Sequence, residues 1–186
     1  GSGKSSLLRS LAGLWPAGGG AVSRPPSVPS SALGSSLSGS ALGCMFLPQA
    51  SYATAGPLRD QVTYPDVREA DDSGVEAALL AVGLSYLLQR YGLGQAINWA
   101  TELSGGELQR LGVARVLYHR PAFAFLDEAT SALDVATEQR CFRALRDAGI
   151  TLVTVSHREG ARAFHAQRLR LSGEAEDGAW SVEHLQ

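Results

Sequence analysis

Apolar residues recur at helical spacing in several stretches of the chain. In the stretch KSSLLRSLAGLW, leucines recur at intervals of three and four residues, at Leu7, Leu8, Leu11 and Leu14. This spacing predicts a helix. Similar spacing predicts helices over 69–91, a range that includes VEAALLAVGLSYLLQRY and is weakened at Gly83, and over LSGGELQRLGVARVLYH and VATEQRCFRALRDAG. GPLRDQVTYP adds a short helical turn that begins near a proline.

Short apolar or β-branched runs lie between these helices. CMFLPQ, AFAFLD and ITLVTVSH each have the length and composition of a buried strand. A further helix and two weaker strands are predicted after the last of them. Strands that alternate with helices indicate an α/β domain with a mainly parallel sheet.

Composition narrows the class of protein. The chain has 186 residues, 45% of them hydrophobic and 18% charged, which is typical of a globular domain. A net charge of -2 does not favour nucleic-acid binding, which uses a basic surface. Cys44 and Cys141 fit no metal-binding spacing, and no apolar run reaches the roughly 18 to 20 residues of a membrane span. Residues 27–43 are rich in Ser, Gly and Ala and predict a flexible surface insertion.

The first residues, GSGKSS, have the composition of a phosphate-binding loop. Glycines let backbone N–H groups close around phosphate oxygens, Lys4 would reach the β- and γ-phosphates, and the Ser5 hydroxyl would hold Mg²⁺. Only the second half of the full motif is present, so a Gly/Ser linker is the alternative from these residues alone.

An acidic pair follows the predicted strand AFAFLD. Asp127 ends the strand at the carboxyl edge of the sheet, where it would hold the same Mg²⁺ as Ser5. Glu128 points elsewhere and would act as a general base toward water. The alternative is a solvated acidic pair.

The stretch ELSGGELQR supplies a second helix start suited to anions, with Ser104 ahead of paired glycines. A tight turn before a helix is the alternative. A nucleotide would use both helix starts if two copies met head to tail, with the phosphates between Lys4 of one copy and Ser104 of the other.

In this order, GSGKS, FLPQ, LSGGELQR, FLDEATSALD and TVSH resemble the ATP-binding cassette (ABC) nucleotide-binding domain. The resemblance implies a P-loop NTPase fold of the ABC type, with a mainly parallel sheet, flanking helices and a helical subdomain at about 66–119 that carries the signature LSGGE. It places Walker B, the D-loop and the switch histidine in 120–186. It also implies that the first strands of the domain lie outside this sequence.

The resemblance also assigns site residues. It implies that Glu128, His157 and Gln49 are catalytic, and that Ser5, Gln49 and Asp127 hold Mg²⁺. It implies that ATP is bound by residues of the phosphate loop, the signature and the D-loop: Gly1, Ser2, Gly3, Lys4, Ser5, Ser6, Ser104, Gly105, Gly106 and Asp134.

Further stretches, among them GLWP, LRDQVTYPD and YHRP, are similar to subfamily D, the peroxisomal fatty-acyl half-transporters. This implies ATP hydrolysis that powers transport, a second nucleotide-binding domain as partner, and a transmembrane domain of the same polypeptide. It further implies a location on the cytosolic face of an organelle membrane, first the peroxisome, with a plastid or another membrane as the alternatives. The near-balanced charge predicts no nucleic-acid partner. The alternatives are a soluble ABC ATPase and a truncated, non-catalytic remnant.

Overall fold

The fold is that of a computed structural model, which describes residues 3–11, 15, 19–23, 43–65, 70–171 and 180–185. Its α-helices are α1 to α7 in chain order: Lys4–Leu11, Leu58–Thr63, Asp72–Ala81, Tyr86–Tyr91, Trp99–Glu102, Gly105–His119 and Val135–Asp147. Its strands are β1 to β7: Cys44–Leu47, Ala55–Pro57, Ala96–Asn98, Phe123–Asp127, Thr151–Val155, Gln167–Leu171 and Trp180–His184. A 3₁₀ helix spans Glu159–Phe164.

Three of the strands form the central sheet, in the order β1-β4-β5. Both pairings are parallel, with Leu47 beside Leu126 and Asp127 beside Val155. The predicted mainly parallel sheet is therefore confirmed. Because the strands are parallel, the loops that follow them emerge at one edge of the sheet, where α/β proteins bind ligands.

Two antiparallel pairs lie outside the central sheet. The predicted weak strands β6 and β7 pair along Gln167–Leu171 and Trp180–His184. The pairing of β2 with β3 was not predicted, because each strand has only three residues and too little length for a period of two to stand out.

The helical prediction over 69–91 resolves into two helices. α3 ends at Ala81, and Gly83 has φ 73°, a left-handed conformation that breaks the helix before α4 begins at Tyr86. The helix predicted over KSSLLRSLAGLW is described from Lys4 to Leu11. The predicted insertion at 27–43 lies outside the described residues except for Gly43.

Buried apolar side chains join the helices to the sheet. α6 packs against α2, α3, α7 and β1, and its face toward the core includes the fully buried Leu111 and Val116. A Cβ atom at Gly112 would lie 3.5 Å from Leu47, so α6 runs close over β1. This packing places the start of α6, the LSGGE stretch, beside the loop that follows β4.

Candidate functional site

Five polar side chains gather at the carboxyl edge of the central sheet. They lie at the start of α1 and at or just beyond the ends of β1, β4 and β5, and we call them the strand-end cluster: Ser5, Gln49, Asp127, Glu128 and His157. They come from distant parts of the chain and meet because the three strands are parallel.

Glu128 is at the centre of this cluster. Its Oε2 accepts a hydrogen bond from Gln49 Nε2 at 2.9 Å, and its Oε1 lies 3.3 Å from His157 Nε2. The carboxylate is partly buried and the imidazole is 72% exposed, so the pair faces solvent. An amide and an imidazole thus hold both carboxylate oxygens in fixed directions.

The backbone at Glu128 has a strained conformation. Its φ of 51° is uncommon for a residue with a side chain, and such strain concentrates at functional sites. The Glu128 amide donates to the Val155 carbonyl at 3.0 Å, which extends the β4–β5 ladder by one bond. The two neighbouring carboxylates have different partners: Gln49 and His157 contact Glu128, and Ser5 contacts Asp127.

The described part of the phosphate loop lies beside the acidic pair. Gly3 has φ 78° and its carbonyl accepts from the Leu7 amide at 2.9 Å, the first bond of α1. The first turn of a helix presents N–H groups to anions, and Lys4 begins this turn. Ser5 Oγ donates to Asp127 Oδ1 at 3.1 Å. Gly1 and Ser2 lie outside the described residues.

The start of α6 is the second of the two helix starts singled out in the sequence, and we call it the signature terminus: Ser104, Gly105, Gly106 and Glu107. Ser104 and Glu107 form a capping box, in which Ser104 Oγ accepts from the Glu107 amide at 3.3 Å and the Ser104 amide donates to Glu107 Oε2 at 2.8 Å. The Ser104 hydroxyl also donates to Glu107 Oε2, at 2.7 Å. A Cβ at Gly105 would meet nothing within 4 Å, so this terminus is open at its surface.

Electrostatics at the signature terminus favour an ionised Glu107. Burial opposes its charge, but hydrogen bonds from the Ser104 hydroxyl, Tyr86 and the Ser104 amide outweigh burial and lower the pKa of Glu107. Burial and the hydrogen bond to Glu107 raise the pKa of Tyr86 to about 12. Within the described structure, the side-chain hydrogen bonds of Ser104 go to Glu107 and not to the strand-end cluster.

Comparison with known proteins identifies the family. Residues 1–131 match the ABC transporter family. The chain belongs to the ABC transporter family. The fold agrees: a bacterial Atm1-family ABC exporter with ATP bound matches with a TM-score of 0.62 and 28% identity, over 70% of this chain and 24% of that one. ATP-binding domains of this family are ATPases, so the predicted fold and enzyme class are confirmed at the level of the family.

Curated relatives lie in subfamily D and near it. An ABC transporter ATP-binding protein of Synechocystis is 42% identical over 100% of this chain and 26% of its own length. ABC transporter D family member 1 of Arabidopsis thaliana is 43% identical over 99% of this chain and 13% of its own. The human lysosomal cobalamin transporter ABCD4 is 39% identical over 100% of this chain and 30% of its own length. The chain thus spans less than a third of each relative, and the predicted resemblance to subfamily D is confirmed.

The donor chemistry of the ABC site fits a hard cation. The Ser5 hydroxyl and the Asp127 carboxylate approach each other at the helix start, and Mg²⁺ prefers such oxygen ligands. The Gln49 amide nitrogen is engaged by Glu128, which leaves the amide oxygen as the donor toward an ion. No group of three or more His, Cys, Asp or Glu side chains capable of holding a metal occurs in the described parts of the chain.

Asp134 is the N-cap of α7, a structural role that the motif alone did not suggest. It caps α7, with Oδ1 accepting from the Thr137 amide at 2.9 Å and Oδ2 from the Thr137 hydroxyl at 2.6 Å. These bonds lower the pKa of Asp134. The signal was present in the sequence, because an Asp ahead of a helical pattern is a helix start. Its contact with ATP stays a prediction.

Three residues beside the site were missed: Gln109, Glu138 and Arg158. Each is polar and bonds the loop 130–133, which joins the strand-end cluster to α7. Polar residues on an amphipathic helix or after a strand are ordinarily solvated, so nothing in their spacing separated them from surface residues.

No helix among the described residues has the length and apolarity needed to cross a membrane.

Proposed function

We propose that the chain binds and hydrolyses ATP and that this reaction powers transmembrane transport by an ABC half-transporter. The observation that carries the proposal is the Glu128 carboxylate, held between Gln49 and His157 at the sheet edge beside the Ser5–Asp127 contact. A general base, a cation site and a helix start for phosphate are thereby brought to one place.

The phosphate loop binds the triphosphate in this proposal. The N-terminus of α1 and Gly1, Ser2, Gly3 and Ser6 surround the phosphates with N–H groups, and Lys4 adds a positive charge at the β- and γ-phosphates.

Ser5, Asp127 and Gln49 hold Mg²⁺ in the same proposal. The bound ion supplies charge neutralisation at the phosphate oxygens. The Ser5–Asp127 contact of 3.1 Å supports it, since the two ligand oxygens already converge.

Glu128 orients water for attack on the γ-phosphorus. The carboxylate accepts a proton from the water as the new P–O bond forms, and the bond to the β–γ bridging oxygen breaks, leaving its electron pair on ADP. His157 donates toward the γ-phosphate and steadies Glu128, and Gln49 fixes the other carboxylate oxygen. The strained backbone at Glu128 supports this role, because such strain concentrates at functional sites.

The signature terminus acts on the ATP of a second copy. Ser104 and Gly105 are exposed at an open helix start, Gly106 follows them close to the Ala132 carbonyl, and the Ser104 hydroxyl is engaged by Glu107 within α6. A second nucleotide-binding domain, arranged head to tail, would bring its ATP there, with Asp134 at the interface. The transmembrane domain of the same polypeptide is the other partner, and no nucleic acid takes part.

The transported compound is of the fatty-acyl type and the membrane is that of the peroxisome, in line with subfamily D. A second candidate comes from one relative at 39% identity, which is named a lysosomal cobalamin transporter. A fluorescently tagged protein expressed from its complete gene distinguishes these two by the organelle it marks. Diffuse cytosolic signal would favour a soluble ABC ATPase instead.

The proposed reaction is tested by phosphate release from Mg-ATP. The protein expressed from its complete gene should hydrolyse ATP, and Lys4→Ala should weaken ATP binding. Binding of Mg-ATP without phosphate release would support the non-catalytic alternative. Absence of both binding and release would contradict the proposal altogether.

A further inference from the structure

The loop 130–133 is fastened by side chains that come from two other parts of the fold. It connects Glu128 to the capping residue Asp134, and it has few backbone bonds of its own. The Ser131 amide donates to the Glu128 carbonyl at 3.0 Å, and the Leu133 amide to the Thr130 carbonyl at 3.1 Å. These two turns make the position of Glu128 depend on the position of the loop.

Arg158 fastens the loop from the side of the switch histidine. Its two terminal nitrogens donate to the Leu133 carbonyl at 2.6 Å and to the Ser131 carbonyl at 2.8 Å. Arg158 is adjacent to His157 in the chain, so the same short segment carries the imidazole and the fastening group. A planar guanidinium suits this task, because its fixed fork of donors reaches two acceptors at once.

The Arg158 charge is balanced inside the protein. Glu138, on the first turn of α7, has only 2% of its side chain exposed and lies 3.6 Å from Arg158. Its other partner is the buried Thr130 hydroxyl, which donates to Glu138 Oε1 at 2.7 Å. A carboxylate this deeply buried requires such partners. The pair therefore joins the loop, the helix α7 and the His157 segment into one network.

Gln109 fastens the loop from the signature side. It is 5% exposed and lies one turn into α6, the helix that begins at the signature terminus. Its Oε1 accepts from the Ala132 amide at 2.8 Å and its Nε2 donates to Ser131 Oγ at 3.1 Å. A Cβ at Gly106 would lie 3.4 Å from the Ala132 carbonyl oxygen, so helix and loop approach closely.

We propose that Arg158 and Gln109 are positioning residues that clamp the loop 130–133 between the His157 segment and α6. The clamp keeps the Glu128 carboxylate and the His157 imidazole in contact. Because Gln109 belongs to α6, that contact also depends on the position of the signature terminus. This inference rests on the proposed hydrolysis of ATP and adds to it a route by which a neighbouring copy, seated on α6, affects the base.

The test replaces Arg158 with methionine, which keeps an unbranched, flexible side chain in place of the arginine stem and removes its donors. We expect kcat for ATP hydrolysis to fall by about 10²-fold, the cost of a misplacement near 1 Å, while the Kd for Mg-ATP stays unchanged. Arg158→Lys should give an intermediate kcat, because one ammonium reaches the carbonyls without the fork. Arg162→Met is the matched control, since Arg162 pairs with Glu159 on the neighbouring 3₁₀ helix.

Two further variants separate positioning from general damage. Arg158→Met leaves Glu138 buried with only Thr130 as partner, so Arg158→Met/Glu138→Gln supplies a neutral pair if the single variant fails to fold. In a Glu128→Gln background, Arg158→Met should lower the residual single-turnover rate much less than it lowers the rate of the wild type, because the clamp acts mainly through Glu128. A merely structural role would lower the rate by the same factor in both backgrounds.

The outcomes distinguish the two levels of the proposal. If the wild-type protein does not hydrolyse ATP, the proposed function and the clamp both fail. If it does, and Arg158→Met or the neutral pair keeps the wild-type kcat, the clamp alone is wrong. A loss that is equally large in the Glu128→Gln background, or that Arg162→Met shares, would also overturn it.

Discussion

The strand-end cluster and the signature terminus both suit phosphate, but they are built in opposite ways. The cluster is assembled from side chains far apart in sequence: Ser5 bonds Asp127, and Gln49 bonds Glu128. The signature terminus is assembled within one turn of helix, by Ser104 and Glu107. The cluster is therefore a product of sheet topology, and the terminus a product of local capping.

This difference has a consequence for how each is used. The cluster has its acidic, amide and imidazole groups aimed at one another within a single chain. The terminus satisfies its own cap and leaves Gly105 open toward solvent. We propose that the cluster performs the chemistry on its own nucleotide and that the terminus completes the site of a neighbouring copy.

Glu128→Gln should have the largest effect. It keeps the hydrogen-bonding shape of the side chain and removes the base, so kcat should fall by about 10²- to 10⁴-fold. ATP binding should persist, and the protein should accumulate as a closed dimer in Mg-ATP. Steady-state phosphate release and size-exclusion chromatography measure the two effects. Normal turnover by this variant would refute the role of Glu128.

Gly105→Asp should come next and tests the neighbouring copy directly. The substitution has room in the chain itself and places a carboxylate at a helix N-terminus, where it is stabilising, so melting temperature should not fall. The carboxylate would meet the phosphates of the neighbour, and loss of a charge-assisted contact there lowers turnover by about 10- to 100-fold.

Mixing the two variants sharpens this prediction. In a mixed dimer of Glu128→Gln and Gly105→Asp copies, one composite site carries both changes and the other carries neither. Phosphate release should therefore exceed that of either variant alone. If each site were complete within a single chain, mixing would restore nothing.

The same contrast explains which features were predictable from the sequence. The capping box and the phosphate loop are contiguous motifs, and Asp127 and Glu128 follow a recognisable strand, so their places at helix starts and the sheet edge could be predicted. The bonds from Arg158 to the Leu133 and Ser131 carbonyls could not, because a backbone carbonyl acceptor leaves no trace in residue types. Nor could the burial of Glu138, which depends on how α7 and the loop 130–133 meet.

The acid stability of the signature terminus should depend on Glu107. Its pKa in the folded protein is lowered, so its contribution is present above the unfolded value of about 4.3 and is lost as pH falls through the folded pKa. Hydrogen exchange at the first turn of α6 should therefore lose protection in acid, by about 1 kcal/mol, the usual worth of a cap. Glu107→Gln should exchange faster at neutral pH and respond less to acid. Equal acid responses in the two proteins would contradict this.

Tyr86→Phe should have the smallest effect. It tests whether the signature terminus is held in place by its own capping box alone or also by a contact from another helix. Tyr86 donates to Glu107 from α4, so this contact ties the cap to another helix. The pKa of Tyr86 is raised to about 12, so its contribution is fully present below about pH 10 and lost as pH rises through 12. Removing the hydroxyl should cost about 0.5 kcal/mol of protection at the first turn of α6, the lower end of the range for one hydrogen bond, and leave kcat unchanged. Tyr91→Phe is the matched control, because Tyr91 donates to Glu102, outside the cap. A fall in kcat with Tyr86→Phe alone would mean that the terminus is positioned by the helical subdomain as well as by its own capping box.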